Sequence, residues 1–172
     1  MLISKEAIEA KTKELAERMS RDYKGKDLLV VGVLKGSVIF ASELIKNITI
    51  PCEIDFMAVS SYGSSSETTG VVRILKDLDS EISGKHILIV EDIVDSGVTL
   101  SYLLNYLKTR NASSVEIASL LTKPSRRKVD IDCKYVGFET PDEFLVGYGL
   151  DYAEKYRNLP FIGILKREVY EK

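Results

Sequence analysis

Ile87-Leu88-Ile89-Val90 is a short, unbroken apolar run that passes directly into Glu91-Asp92-Ile93-Val94-Asp95-Ser96-Gly97-Val98-Thr99. Such a run suits a strand buried on both faces, which is the habit of parallel sheets. Leu100, Leu103, Leu104 and Leu107 then recur at helical spacing. A buried strand turning into an amphipathic helix commits a chain to strand–helix alternation, and the rest of the sequence repeats that pattern. Ser4 to Tyr23 reads as a helix with Ile8, Leu15 and Met19 on one face, and Leu28 to Val33 as a strand. A second helix starts near Ser37 and carries Val38, Ile39, Leu44 and Ile45; Ile54 to Val59 is another strand. Val115 to Leu121, Tyr135 to Phe138 and Phe161 to Leu165 complete the strand candidates. The expected fold is α/β, a mostly parallel twisted sheet flanked by helices. Residues 1–172 are read as one domain, with a small hood contributed mainly by residues 129–172.

Composition narrows the partners. With 45% apolar and 29% charged residues the chain is ordinary globular material, and its 172 residues can bury a sizeable core without staples. A formal net charge of −2 gives no global basic field for nucleic acid, so any polyanion must be held by a local device. Apolar stretches such as Leu28 to Val31 fall far short of the roughly 20 residues a membrane span needs. Charge enters the N-terminus at Lys5 and Glu6, before an apolar stretch of signal-peptide length accumulates. Cys52 and Cys133 read as reduced thiols, and the expected location is cytoplasmic.

The segment after Val90 carries the chemistry. Open α/β sheets bind ligands beyond the carboxyl ends of their strands, and here two adjacent carboxylates, Glu91 and Asp92, stand there. Asp95 to Thr99 then turns into a helix, offering free backbone N–H groups, the positive end of a helix dipole and two hydroxyls. That is a phosphate cradle. Gly97 supplies the backbone freedom that close phosphate approach requires. Singly, Asp95 or Ser96 would also suit a helix cap, and Glu91 and Asp92 solvated loop acids. Together they place acids for hydroxyls or metal beside a phosphate site, the needs of a sugar phosphate. Ser60 to Gly70 is polar, small and without periodicity, longer than a connection requires, and reads as a binding loop or lid that includes Ser60, Ser61, Tyr62 and Gly63. A hairpin tip is the plainer alternative. Lys35-Gly36-Ser37 lacks the Gly-Lys-Ser/Thr order of a nucleotide-binding P-loop.

Val90 to Thr99 resembles the phosphoribosyl-pyrophosphate motif of type I phosphoribosyltransferases. More narrowly, the chain is similar to the bacterial hypoxanthine-guanine branch of that family. Gly32-Val33-Leu34-Lys35-Gly36-Ser37, Ser60-Ser61-Tyr62-Gly63, Val71 to Asp77 and Asp142 to Tyr152 carry the likeness over nearly the full length. Ser96 and Thr68-Thr69 depart from the commoner residues of the family but keep the hydroxyls.

The resemblance implies the type I fold and the transfer of a phosphoribosyl group from phosphoribosyl pyrophosphate to N9 of hypoxanthine or guanine, giving IMP or GMP and pyrophosphate. It implies Mg2+, with Glu91 and Asp92 on the ribose hydroxyls that share it and Asp151 orienting a second ion through water. Asp95, Ser96, Gly97, Val98 and Thr99 would hold the 5′-phosphate. Lys35 and Gly36 would meet pyrophosphate through their amides, across a cis Leu34–Lys35 peptide, with Arg157 adding charge. Lys123 would donate to the purine 6-oxo group and Phe144 would stack on the ring. Carbonyls near Leu145 and Asp151 would read the guanine amine, and Asp95 would be the general base at N7. A homodimer or homotetramer is implied as well. Without the family, Lys123 reads as a solvated strand-end lysine, Phe144 as core, Arg157 as surface charge, and Arg126-Arg127-Lys128 as a solvent-facing cluster. The rival function is a non-catalytic sensor of phosphoribosyl pyrophosphate on the same fold, which the acidic net charge and the presence of Asp95 disfavour.

Overall fold

Ser4 opens the first helix by accepting a hydrogen bond from the Ala7 amide at 3.1 Å, an N-cap that satisfies one of the orphan donors of the first turn. That helix, α1, spans Lys5–Asp22, and its buried face carries Ile8, Leu15, Ala16 and Met19. The computed structural model describes residues 1–61 and 72–171. After α1 come β1 (Leu28–Leu34), α2 (Val38–Asn47), β2 (Glu53–Ser61), β3 (Val72–Lys76) and β4 (His86–Val94). Next are α3 (Val98–Lys108), β5 (Ser114–Thr122) and β6 (Tyr135–Glu139). The chain closes with β7 (Leu145–Val146), β8 (Gly163–Ile164) and α4 (Arg167–Tyr170).

The main sheet runs β3-β2-β1-β4-β5-β6, parallel throughout except for the antiparallel β2–β3 pair. Alternate residues of β4 enter opposite cores. Leu88 and Val90 pack with α1 and α2 residues such as Leu15, Phe40 and Leu44; Ile87 and Ile89 pack with Leu103 and Leu107 of α3. This is why the apolar run is continuous rather than alternating.

Two expectations shift. β6 is the sixth strand of the main sheet, so the part of 129–172 that leaves the sheet begins after Glu139. The strand read over Phe161 to Leu165 shrinks to β8, paired only with β7, while Ile162 bridges to Ile3. With one short partner on each side, the apolar run cannot extend a ladder. The topology also fixes where a ligand goes. Sequence order runs outward from β1 through β2 and, in the other direction, from β4 through β5 and β6. The β1–β4 junction is therefore the switch point of the sheet, and its carboxyl edge is the crevice where open α/β sheets bind ligands.

Candidate active site

At that edge β4 stays paired with β5 as far as Val94 and Thr122. Glu91 and Asp92 therefore belong to the strand rather than to the loop beyond it, and both are partly buried. Burial, together with the adjacent Asp92 carboxylate, pushes Glu91 well above the usual carboxylate range; burial also raises Asp92. Across the junction, the loop after β1 begins with a cis peptide at Leu34–Lys35. Gly36 lies so close to Asp92 that a Cβ there would fall 1.9 Å from Asp92 Oδ2, which ties the β1 loop to the acids of β4. The Lys35 side chain points away, to Glu154 at 3.1 Å.

Past β4 the chain turns through Asp95, Ser96 and Gly97 into α3. Gly97 takes φ +85° at the N-cap position, where it brings no side chain to the first amides of the helix. Among the described residues no side chain caps α3, and Ser96 Oγ only accepts from the Val98 amide at 3.4 Å. Neither Asp95 nor Ser96 is the capping residue, so the helix entrance keeps donors for an anion. Beside it lies a cavity of about 250 Å³ lined by Val33, Glu91, Asp95, Ser96, Gly97 and Thr99, among others. A second cavity, of about 280 Å³, is lined by Ile93, Asp95, Lys123, Arg126, Phe144, Leu145, Leu150 and Asp151. The two share Ile93 and Asp95 as a common wall. The first cavity adjoins the α3 entrance and Glu91, the second combines Phe144, Leu145 and Leu150 with Lys123 and Asp151, and Asp95 lines both.

Residues 2–153 match the phosphoribosyl transferase domain family. The chain belongs to that family. A hypoxanthine-guanine phosphoribosyltransferase of Bacillus subtilis is 55% identical over 171 residues, covering 99% of this chain and 95% of its own length. One from Streptococcus thermophilus is 54% identical over 172 residues, covering all of this chain and 96% of its own. The crystal structure of a hypoxanthine phosphoribosyltransferase from Staphylococcus aureus superposes with TM-score 0.98 at 53% identity, covering 100% of this chain and 94% of that one. The phosphoribosyltransferase here is thus of the hypoxanthine-guanine branch, with the type I fold.

The phosphoribosyltransferase gathers most of its sequence-read residues at these two cavities. Lys123 is not a solvated lysine: it is 9% exposed, and Nζ donates to the Glu143 carbonyl at 2.7 Å. Phe144 is not core: it is 37% exposed, with Tyr170 tilted against it at 5.0 Å and Tyr152 edge-on at 5.6 Å. Leu145 sits in β7 beside it. Asp151 Oδ2 accepts from the Glu154 amide at 2.9 Å, and Oδ1 lies 3.4 Å from Arg157. Arg157 turns inward, donating to the Gly149 carbonyl at 2.7 Å while its buried Nε has no partner among the described residues. Ser60 and Ser61 are the last residues of β2, and the rest of the lid reading, Tyr62, Gly63 and on to Gly70, lies outside the described residues.

Arg126 and Lys128 of the basic cluster are exposed as expected and Arg127 is half-buried, but the two arginines are not merely solvated. Arg126 pairs with Asp95 at 2.9 Å and with Asp142 at 3.4 Å. Arg127 donates to the Asp95 carbonyl at 3.2 Å and to Thr122 Oγ1 at 2.6 Å. Charge runs usually face solvent, and nothing local distinguishes this one; the acids that Arg126 bonds lie 31 and 16 residues away. Gly149 was also missed. At φ +101° a Cβ on it would fall 2.1 Å from the Gly36 carbonyl, so the segment after β7 rests directly on the β1 loop. The Gly147-Tyr148-Gly149 spacing is the one sequence signal that hints at such close backbone contact.

Proposed function

We propose that this phosphoribosyltransferase displaces pyrophosphate from C1 of phosphoribosyl pyrophosphate by N9 of hypoxanthine or guanine, yielding IMP or GMP in purine salvage. The observation that carries this reading is the wall shared by the two cavities. A sugar phosphate in the first and a purine in the second would meet at Asp95.

On this reading the α3 entrance holds the 5′-phosphate, and Glu91 and Asp92 hold the ribose hydroxyls. The loop at Lys35-Gly36 and Arg157 face pyrophosphate. The transition state has oxocarbenium character, so charge builds on the leaving group before N9 arrives, and the groups facing it stabilise that charge. Asp95 accepts the N7 proton as N9 bonds. Lys123 donates to the 6-oxo group, Phe144 covers the ring, and carbonyls near Leu145 and Asp151 meet the 2-amino group.

The acids fit a hard divalent cation. Glu91 and Asp92 are adjacent oxygen donors raised by burial, the condition in which a cation is most welcome. Among the described residues no three ligating side chains gather, so substrate oxygens must complete the shell, as magnesium sites usually require. When bound with the substrate, magnesium supplies positive charge at the leaving pyrophosphate, with Asp151 as a further outer partner. A cytoplasmic location and a homodimer or homotetramer belong to the same proposal. No helix of the described residues is long and apolar enough to cross a membrane.

The sensor alternative predicts binding without turnover. The test is pyrophosphate release from phosphoribosyl pyrophosphate with guanine, hypoxanthine, xanthine or adenine. Rapid release with guanine and hypoxanthine and very little with adenine is expected; binding with no release for any base would refute catalysis.

A further inference from the structure

Arg126 stands on the 3-10 turn Pro124–Arg126 that immediately follows Lys123, and its amide donates to the Lys123 carbonyl at 3.1 Å. Its guanidinium reaches in two directions. Nε donates to Asp95 Oδ1 at 2.9 Å, and Nη1 donates to Asp142 Oδ1 at 3.4 Å, two residues before Phe144. One side chain thus joins three of the chain segments that line the second cavity: the loop carrying Asp95, the turn carrying Lys123 and the strand entrance carrying Phe144. The same side chain lines that cavity.

The main chain beneath is already fixed. Lys128 and Val129 amides both donate to the Ser96 carbonyl, at 2.9 and 3.2 Å, and Arg127 holds the Asp95 carbonyl. These bonds place the Asp95 backbone against the turn without constraining its carboxylate. Among the described residues only Arg126 bonds that carboxylate. A planar guanidinium suits the task because it can engage two carboxylates in fixed directions. With half of its side chain exposed, 53%, the pair adds little to stability. Its use is geometric.

Resting on the reading of Asp95 as general base, we propose that Arg126 is the positioning residue that aims the Asp95 carboxylate at purine N7 in register with Lys123 at the 6-oxo group. The two purine atoms are neighbours on one edge of the ring, so the base and the donor must be set relative to each other, and Arg126 spans the gap. Oδ1 is held by the guanidinium and Oδ2 is left for the substrate. Activation of a base by a third group that orients it is a general device, and its loss is felt in turnover.

The test is steady-state kinetics of Arg126→Ala, Arg126→Lys, Asp95→Asn and Arg126→Ala/Asp95→Asn, with melting temperatures to show that each variant folds. Arg126→Ala is expected to lower kcat about tenfold, a coupling of the size neighbouring residues show, with the KM for phosphoribosyl pyrophosphate unchanged because the phosphate cradle is untouched. Arg126→Lys should recover only part of kcat, keeping the charge but not the fork. In the Asp95→Asn background the same substitution should cost almost nothing. Wild-type kcat in Arg126→Ala, or an equal loss with and without the Asp95 carboxylate, overturns the proposal while leaving the general base intact. Wild-type turnover in Asp95→Asn instead overturns the general-base reading on which it rests.

Discussion

Gly149→Ala is the substitution for which the structure gives the most specific expectation. Two costs arise at once. At φ +101° the backbone lies where residues with a Cβ are strained by about 1–3 kcal/mol. The new methyl would also fall 2.1 Å from the Gly36 carbonyl oxygen, whereas carbon and oxygen normally approach no closer than about 3.3 Å. Something must move by about 1 Å, and both atoms are backbone. The moving part includes Gly36, which is pressed against Asp92 on its other side. A displacement of that size in a substrate-positioning loop can cost about 100-fold in rate. The expected result is a melting temperature lower by about 2–12 °C, as this strain implies for a chain of this length. kcat/KM for phosphoribosyl pyrophosphate should fall about 100-fold. Gly84→Ala is the control. It has a similar positive φ of +80° but nothing within 4 Å of the new methyl, so it pays strain without the collision. Calorimetry and initial rates on both variants separate the terms. If Gly149→Ala lost no more activity than Gly84→Ala, the idea that Gly149 braces the β1 loop for substrate would be wrong.

Other expectations follow from single contacts. Asp95→Asn should lower kcat by about 10²–10⁴ with little change in affinity for phosphoribosyl pyrophosphate, read by single-turnover rates beside calorimetric binding; near-normal turnover would remove Asp95 from the mechanism. Lys123 is a pure donor, which suits a 6-oxo acceptor and opposes the amino group of adenine, so Lys123→Ala should lose most of the preference for hypoxanthine over adenine, mainly by losing hypoxanthine. An unchanged preference in a competition assay would return Lys123 to a structural role. Burial alone would raise Asp55, but hydrogen bonds from the Asp79 and Phe56 amides and from Lys76 outweigh it and hold the carboxyl below its ordinary value. Its folded pKa being depressed, its stabilisation is present above the unfolded value of about 3.9 and fades as pH falls through the lower folded value. Asp55→Ala should therefore cost about 1–3 kcal/mol at pH 7 and progressively less in urea melts carried below pH 4. A deficit that stayed constant with pH would contradict the charge-based account.

What could be read from the sequence alone was what is local. Val90 to Thr99 holds strand, acids, turn and helix entrance in one stretch, so their order needed no tertiary information, and the structure has that order with a longer β4. That length depended on β5, a partner whose extent to Thr122 is not written in β4 itself. Lys123 and Phe144 carried no signal of their own; only likeness to a family singled them out, because each acquires meaning from a cavity assembled by distant segments.

Arg126 marks the limit of such reading. A basic triplet in a loop is consistent with solvation, and its partners Asp95 and Asp142 are themselves acids that look solvated in isolation. What brings Arg126 to Asp95 is the parallel β4–β5 pairing, which carries the end of β4 and the turn after β5 to the same sheet edge, with the Lys123 amide donating to the Val94 carbonyl at 2.9 Å. That pairing sets the loop after β4 and the turn after β5 side by side, so a residue on the turn can face Asp95. The fold therefore supplies the position, and the sequence decides whether an arginine occupies it. That makes the identity of residue 126 a variable that can be changed without disturbing the phosphate cradle, which is why the kinetics of its substitution discriminate between a role in aiming the base and a role in holding the loop.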